Sequence, residues 1–228
     1  MLPLYDNIRT RRFPYVTVAL IAANAAVWLL YQVPELEESV YRLGFLPCEA
    51  EGTCDGVGYS WPANVLTSMF AHGSWFHVIG NMLFLWIFGN NVEDALGRVR
   101  YLVFYLAAGV AATAAQTAVT LWFGVPDEAA IPSVGASGAI SGVLAAYLVL
   151  FPLARVVTLV FVFIVEIPAM IFLVTWFGFQ LWLGSFSLLE PQSGGGVAFF
   201  AHIGGFVFGL LAVKLVQPRG RLATGSRG

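Results

Sequence analysis

Ser137 sits in "PSVGASGAISG" (132–142), a small and polar stretch inside an otherwise oily chain. The chain has three histidines, His72, His77 and His202, and each falls within an apolar run rather than a charged loop. Asn81 follows His77 by four residues, so on a helix the two share a face and can aim two donors at one spot. A serine against a histidine in a dry site is a nucleophile with its general base. Donors gathered near a helix N-terminus can hold a developing oxyanion. No carboxylate accompanies His202 in its run, so the pattern is a Ser–His dyad rather than a triad. The same residues also read as packing. Histidine and asparagine hydrogen-bond between membrane helices, and the pairs Gly138/Gly142 and Gly205/Gly209 are GxxxG faces that let backbones approach closely.

The elements that must position these residues are apolar runs of membrane-spanning length. A hydrocarbon core about 30 Å thick needs about 20 residues of helix. Six runs qualify: Pro14–Pro34, Gly56–Val92, Tyr101–Pro126, Ala129–Ala154, Ile167–Leu189 and Pro191–Val213. The first is too long for a cleaved signal peptide. No period-2 pattern with regular turns suggests a barrel, so the expectation is an all-α membrane protein of six transmembrane helices. No internal repeat supports an inverted-repeat transporter. Pro132 breaks the chain before the fourth helix, expected over Ser137–Phe151. At roughly 15 residues and about 23 Å that helix falls short of the hydrocarbon core, so it begins below the membrane surface. Non-helical backbone at that depth is tolerated only inside protein or beside a watery cavity. Ser137, His202 and the His77/Asn81 pair then share the outer half of the membrane.

Charge sets the orientation. Arg9, Arg11, Arg12, Arg98, Arg100, Arg155, Lys214, Arg219, Arg221 and Arg227 fall in segments on one side of a six-span chain. The other side has Arg42 and most of the acids, so both termini are expected to be cytoplasmic. The expected organisation is a cytoplasmic N-terminus (1–13), a membrane domain (14–216) with an outer loop at 34–61, and a cytoplasmic tail (217–228). Cys48 and Cys54 lie in the outer loop, where a disulfide and two free thiols are both open readings. Two cysteines do not make a structural zinc site, and no metal or cofactor is called for. No basic, aromatic-interleaved patch points to nucleic acid. Glu166, the one charge in an apolar stretch, is read as lying near the cytoplasmic start of the fifth helix, with Pro168 in its first turn.

Three motifs, "HGSWFHVIGN" (72–81), "GASG" (135–138) and "AHIGG" with its GxxxG (201–209), resemble in order and placement those of the rhomboid intramembrane serine proteases. The turn "GNNVEDALG" (89–97), with Glu93 and Gly97, adds to the resemblance, which covers about Pro14 to Val216. It implies a six-helix bundle of the minimal prokaryotic form, in the plasma membrane, cutting transmembrane segments of other membrane proteins. Ser137 would be the nucleophile and His202 the base. His77, Asn81 and the Ser137 N–H would hold the oxyanion. His72 and the glycines Gly135, Gly138, Gly205 and Gly209 would be structural. Residues 185–197 would be the mobile cap over the site. One position departs from the family: a tyrosine often stacks on the histidine from one turn after the nucleophile, and this chain has Ser141 there. An inactive relative that binds transmembrane helices is the alternative, and the oligomeric state is left open.

Overall fold

The computed structural model describes residues 1–56, 58–124, 126–189 and 198–218. Its first membrane helix, α1 (Tyr15–Ala26), starts after Pro14 with no side-chain cap of its own. The buried Glu93 supplies one from far along the chain. Its carboxylate accepts from the N–H groups of Val16 (3.0 Å) and Thr17 (2.7 Å) and from the Thr17 hydroxyl (2.8 Å). An anion at a helix N-terminus meets otherwise orphaned donors and the positive end of the dipole. α1 runs on through a π-helical turn, Val27–Gln32, to make one apolar span.

The outer segment 34–61 folds into two short helices, α2 (Leu36–Leu43) and α3 (Pro47–Glu51), and Cys48 and Cys54 are joined by a disulfide. The second apolar run is not one helix, which corrects the expectation. α4 (Trp61–Thr67) and a 3-10 turn (Ser68–Phe70) stop at Ala71, and α5 (Trp75–Phe84) restarts with the Ser74 hydroxyl capping the His77 N–H. The break at "AHGS" holds His72 outside any helix. Gln32 bridges that break, donating to the His72 carbonyl (3.0 Å) and accepting from the His72 N–H (2.8 Å). α5 continues through a second π-helical turn (Leu85–Gly89) into α6 (Asn90–Leu96).

α7 (Arg98–Phe123) is a full-length span, and α8 (Pro126–Ala129) is a single turn. α9 (Ser137–Leu150) is short, as expected, and lies at the centre: every residue from Gly138 to Tyr147 is buried. α10 (Ala169–Leu189) and α11 (Phe199–Val216) complete the bundle, and α7, α9 and α11 pack most intimately. Among the described residues four helices, Tyr15–Gln32, Arg98–Phe123, Ala169–Phe186 and Phe199–Val216, are long and apolar enough to cross a membrane, and the chain is an integral membrane protein. The second and fourth expected spans are built from shorter helices.

A purely helical chain was the expectation, and a three-stranded antiparallel sheet corrects it. β1 (Leu2–Asp6) pairs with β2 (Arg155–Val160), which pairs with β3 (Phe163–Pro168). Leu2 lies opposite Leu159, and Asp6 opposite Val156. The strands are apolar on both sides of the pleat, so the polar-apolar alternation that marks a half-buried strand is missing. Glu166 sits exposed in β3, 3.3 Å from Arg155, just before α10. The sheet brings the N-terminal segment and the 155–168 connection to the same end of the bundle. Of the expected cap, 185–189 continue α10, and 190–197 lie outside the described residues, as do 219–228 of the tail.

Candidate active site

The chain leading into α9 is extended backbone, and its polar groups are paired. Phe45 and Ser133 exchange two N–H···O bonds (3.0 and 2.8 Å), and the Gly135 N–H donates to the Ser68 carbonyl (2.8 Å). That satisfies non-helical backbone within an apolar bundle. It also fixes where α9 starts. Ser137 is its first residue, so its N–H has no intrahelical acceptor.

Gly135 has φ +129°, a conformation that L side chains rarely adopt. A Cβ there would lie 2.7 Å from His77 Nε2 and 3.4 Å from Ser137 Oγ. The His77 imidazole and the Ser137 hydroxyl thus flank the same small space. Asn81, one turn after His77 on α5, is buried, and its Nδ2 donates to nothing among the described residues. His72, fully buried in the break, sets its ring edge-on to His77 with centroids 5.0 Å apart.

His202 comes from the first turn of α11. Its Nε2 is 2.8 Å from Ser137 Oγ. The approach depends on bare glycine backbone: a Cβ on Gly205 would fall onto the Gly138 carbonyl oxygen, and one on Gly209 onto the Gly142 carbonyl. Gly138 and Gly142 meanwhile present their own Cα hydrogens to Ala112 and Ala108 of α7. The two GxxxG faces therefore bring α9 and α11 together, as GxxxG faces do between membrane helices. The height of α11 is set from α7, where Gln116 Oε1 accepts from the Ala201 N–H (3.2 Å).

Residues that were not singled out in the sequence complete the site. Gln180 of α10 is buried, and its Oε1 is 2.7 Å from His202 Nδ1. Trp176, one turn earlier on α10, packs on the same imidazole with ring centroids 5.9 Å apart. The imidazole therefore has an aromatic neighbour from α10 and none from position 141 of α9. Ser141 instead turns back, and its hydroxyl donates to the Ser137 carbonyl (2.7 Å). An amide within an apolar span is itself a depth signal, and Trp176 and Gln180 share a face at a spacing of four.

The arrangement is a hydroxyl hydrogen-bonded to an imidazole at a helix start, with a second imidazole beside it. It suits attack on a carbonyl followed by proton transfer. A family profile described as Rhomboid domain matches residues 60–219. The chain is 32% identical over 197 residues to the presenilin-associated rhomboid-like protein, mitochondrial, of Bos taurus, covering 84% of this chain and 46% of that protein. The Homo sapiens protein of that name gives 32% over 197 residues, 84% of this chain and 45% of its own length. Rhomboid protein 1, mitochondrial, of Saccharomyces cerevisiae gives 32% over 200 residues, 85% and 51%. The chain spans about half the length of these curated relatives. All three are named as mitochondrial, so they lend no support to the expected plasma membrane of a prokaryote.

Proposed function

We propose that this chain, which belongs to the rhomboid family, is an intramembrane serine endopeptidase that cuts transmembrane segments of other membrane proteins. Rhomboid proteins are generally intramembrane serine proteases, and the observation that carries the reading here is the 2.8 Å separation of Ser137 Oγ and His202 Nε2. Ser137 Oγ attacks the scissile carbonyl carbon, and its proton passes to His202 Nε2. The oxyanion is held by the Ser137 N–H, His77 and Asn81. Collapse breaks the C–N bond, His202 returns the proton to the leaving nitrogen, and an ester remains on Ser137. Water then attacks that ester with His202 again as base, releasing the new carboxylate.

The substrate segment enters from the bilayer between α5 and α10. Its carbonyl must leave helical hydrogen bonding before it can be attacked, so helix-breaking residues near the cut favour cleavage. The six apolar runs argue for six crossings and the charge asymmetry for cytoplasmic termini, and the pairing of β1 with β2 is in keeping with both. In liposomes, Ser137→Ala is expected to abolish cleavage of a model transmembrane substrate while leaving the thermal unfolding profile unchanged. Cleavage that survives that substitution removes Ser137 from the chemistry. Labelling of Ser137 by a fluorophosphonate separates an active enzyme from a helix-binding relative with a silent site.

A further inference from the structure

The imidazole of His202 has two nitrogens, and the chemistry uses only one. Nε2 must present a lone pair to the Ser137 hydroxyl, so the single proton of neutral imidazole has to sit on Nδ1. Nothing about Ser137 enforces this, because a hydroxyl both donates and accepts. With the proton on Nε2 instead, the imidazole would donate to Ser137 and could not take its proton.

We infer that Gln180 is the positioning residue that fixes the working tautomer of His202, and that it does so from α10, so that the seat of this helix and the readiness of the dyad are linked. The inference rests on the protease reading above and gives that site the orienting group its sequence lacked. Gln180 Oε1 is an acceptor without a proton, and at 2.7 Å from Nδ1 it requires Nδ1–H. That bond points Nε2 at Ser137 Oγ, 2.8 Å away on the opposite side of the ring. A neutral amide suits this place. It orients the ring and supports the imidazolium formed during attack without setting a carboxylate in an apolar bundle. Trp176, four residues earlier, packs on the same ring, so one face of one helix supplies both the hydrogen bond and the ring contact.

α10 meets the other membrane helices chiefly at α11 and, to a lesser extent, at α9. Moving α10 away from α11 withdraws Gln180 and Trp176 from His202 together. The imidazole then loses both its tautomer preference and its ring contact until the helix returns.

The test uses the full chain in nanodiscs, with histidine 15N-labelled in its ring. The parent's His202 is expected as the Nδ1–H tautomer, and Gln180→Met as a mixture or the Nε2–H form. With a transmembrane model substrate, Gln180→Met is expected to lower kcat by about 10- to 100-fold with KM within about twofold, the signature of a group that serves the reaction rather than binding. Gln180→Glu, which keeps an acceptor oxygen, is expected to recover most of that loss. Finding His202 of the parent as Nε2–H overturns the inference, as does kcat for Gln180→Met within about threefold of the parent. Should the Met variant fail to fold, the parent spectrum and the Glu variant decide. A parent that cleaves no substrate counts against the protease reading, while its tautomer still decides the role of Gln180.

Discussion

A side chain at position 135 has no room and no permitted backbone. The φ of +129° disfavours any L residue, and a Cβ would press on His77 Nε2 at 2.7 Å. Gly135→Ala is therefore expected to push His77 off the space beside Ser137 Oγ. Displacement of a positioned group by about 1 Å costs on the order of 100-fold in rate. Cleavage and fluorophosphonate labelling should fall together in this variant. A fall in cleavage with labelling intact would place the effect on substrate access instead. Ser137, His77, Asn81 and His202 were legible from residue type and spacing, because polar groups among apolar runs stand out. Gln180 and Trp176 were not, and for a physical reason. A tryptophan is common near the ends of membrane helices, and a single amide in a span does not name its partner; only the crossing of α10 over α11 turns both toward one imidazole.

At the outer end of that crossing, Gly184 of α10 packs against Phe199, Phe200 and Ile203 of α11. A Cβ on Gly184 of α10 would lie 3.4 Å from the Phe199 Cβ of α11, close to the separation that a disulfide takes. Oxidation of the double variant Gly184→Cys, Phe199→Cys should pin α10 against α11. If substrate enters beside α10, the locked form loses cleavage of a transmembrane substrate by on the order of 10-fold or more while Ser137 still reacts with a small fluorophosphonate, and reductant restores cleavage. Undiminished cleavage when locked would dispose of that route; the parent under reductant controls for Cys48–Cys54. Helix positions were legible where length and apolarity agree, as in α7 and α11, and so was the shortness of α9, which follows from Pro132 and the small residues after it. The break at His72 was hidden. "AHGS" contains one glycine and no proline, and what ends the helix is tertiary: the Gln32 amide clamps the His72 backbone, and Ser74 caps the restart. The sheet escaped notice because its strands are apolar on both sides.

Across the whole molecule, the end opposite the site is tied by Asp6. Its carboxylate accepts from the Tyr147 hydroxyl of α9 (2.5 Å) and the Asn91 amide of α6 (2.7 Å), so one side chain joins the sheet to two helices. Burial outweighs these hydrogen bonds and pushes its pKa from 3.8 up to about 6. A carboxyl raised on folding binds protons on folding. Its contribution to stability is full below its ordinary value near 3.8 and is lost as pH rises through about 6. The protein should unfold at a higher temperature at about pH 5 than at about pH 7, with about 1 kcal/mol of the stability difference coming from this group, and Asp6→Asn should flatten that dependence. An unchanged slope in the variant would assign the dependence to other groups. The pairing of residues 2–6 with 155–160 also bears on how the protein is made. A ribosome at roughly 5–20 residues per second needs on the order of ten seconds more to deliver the partner strand. The amino-terminal strand waits unpaired through the synthesis of α1 to α9. Residues 2–6 are thus made before α1 to α9 and placed after them, so bulk attached beside β1 would burden the step that closes the structure.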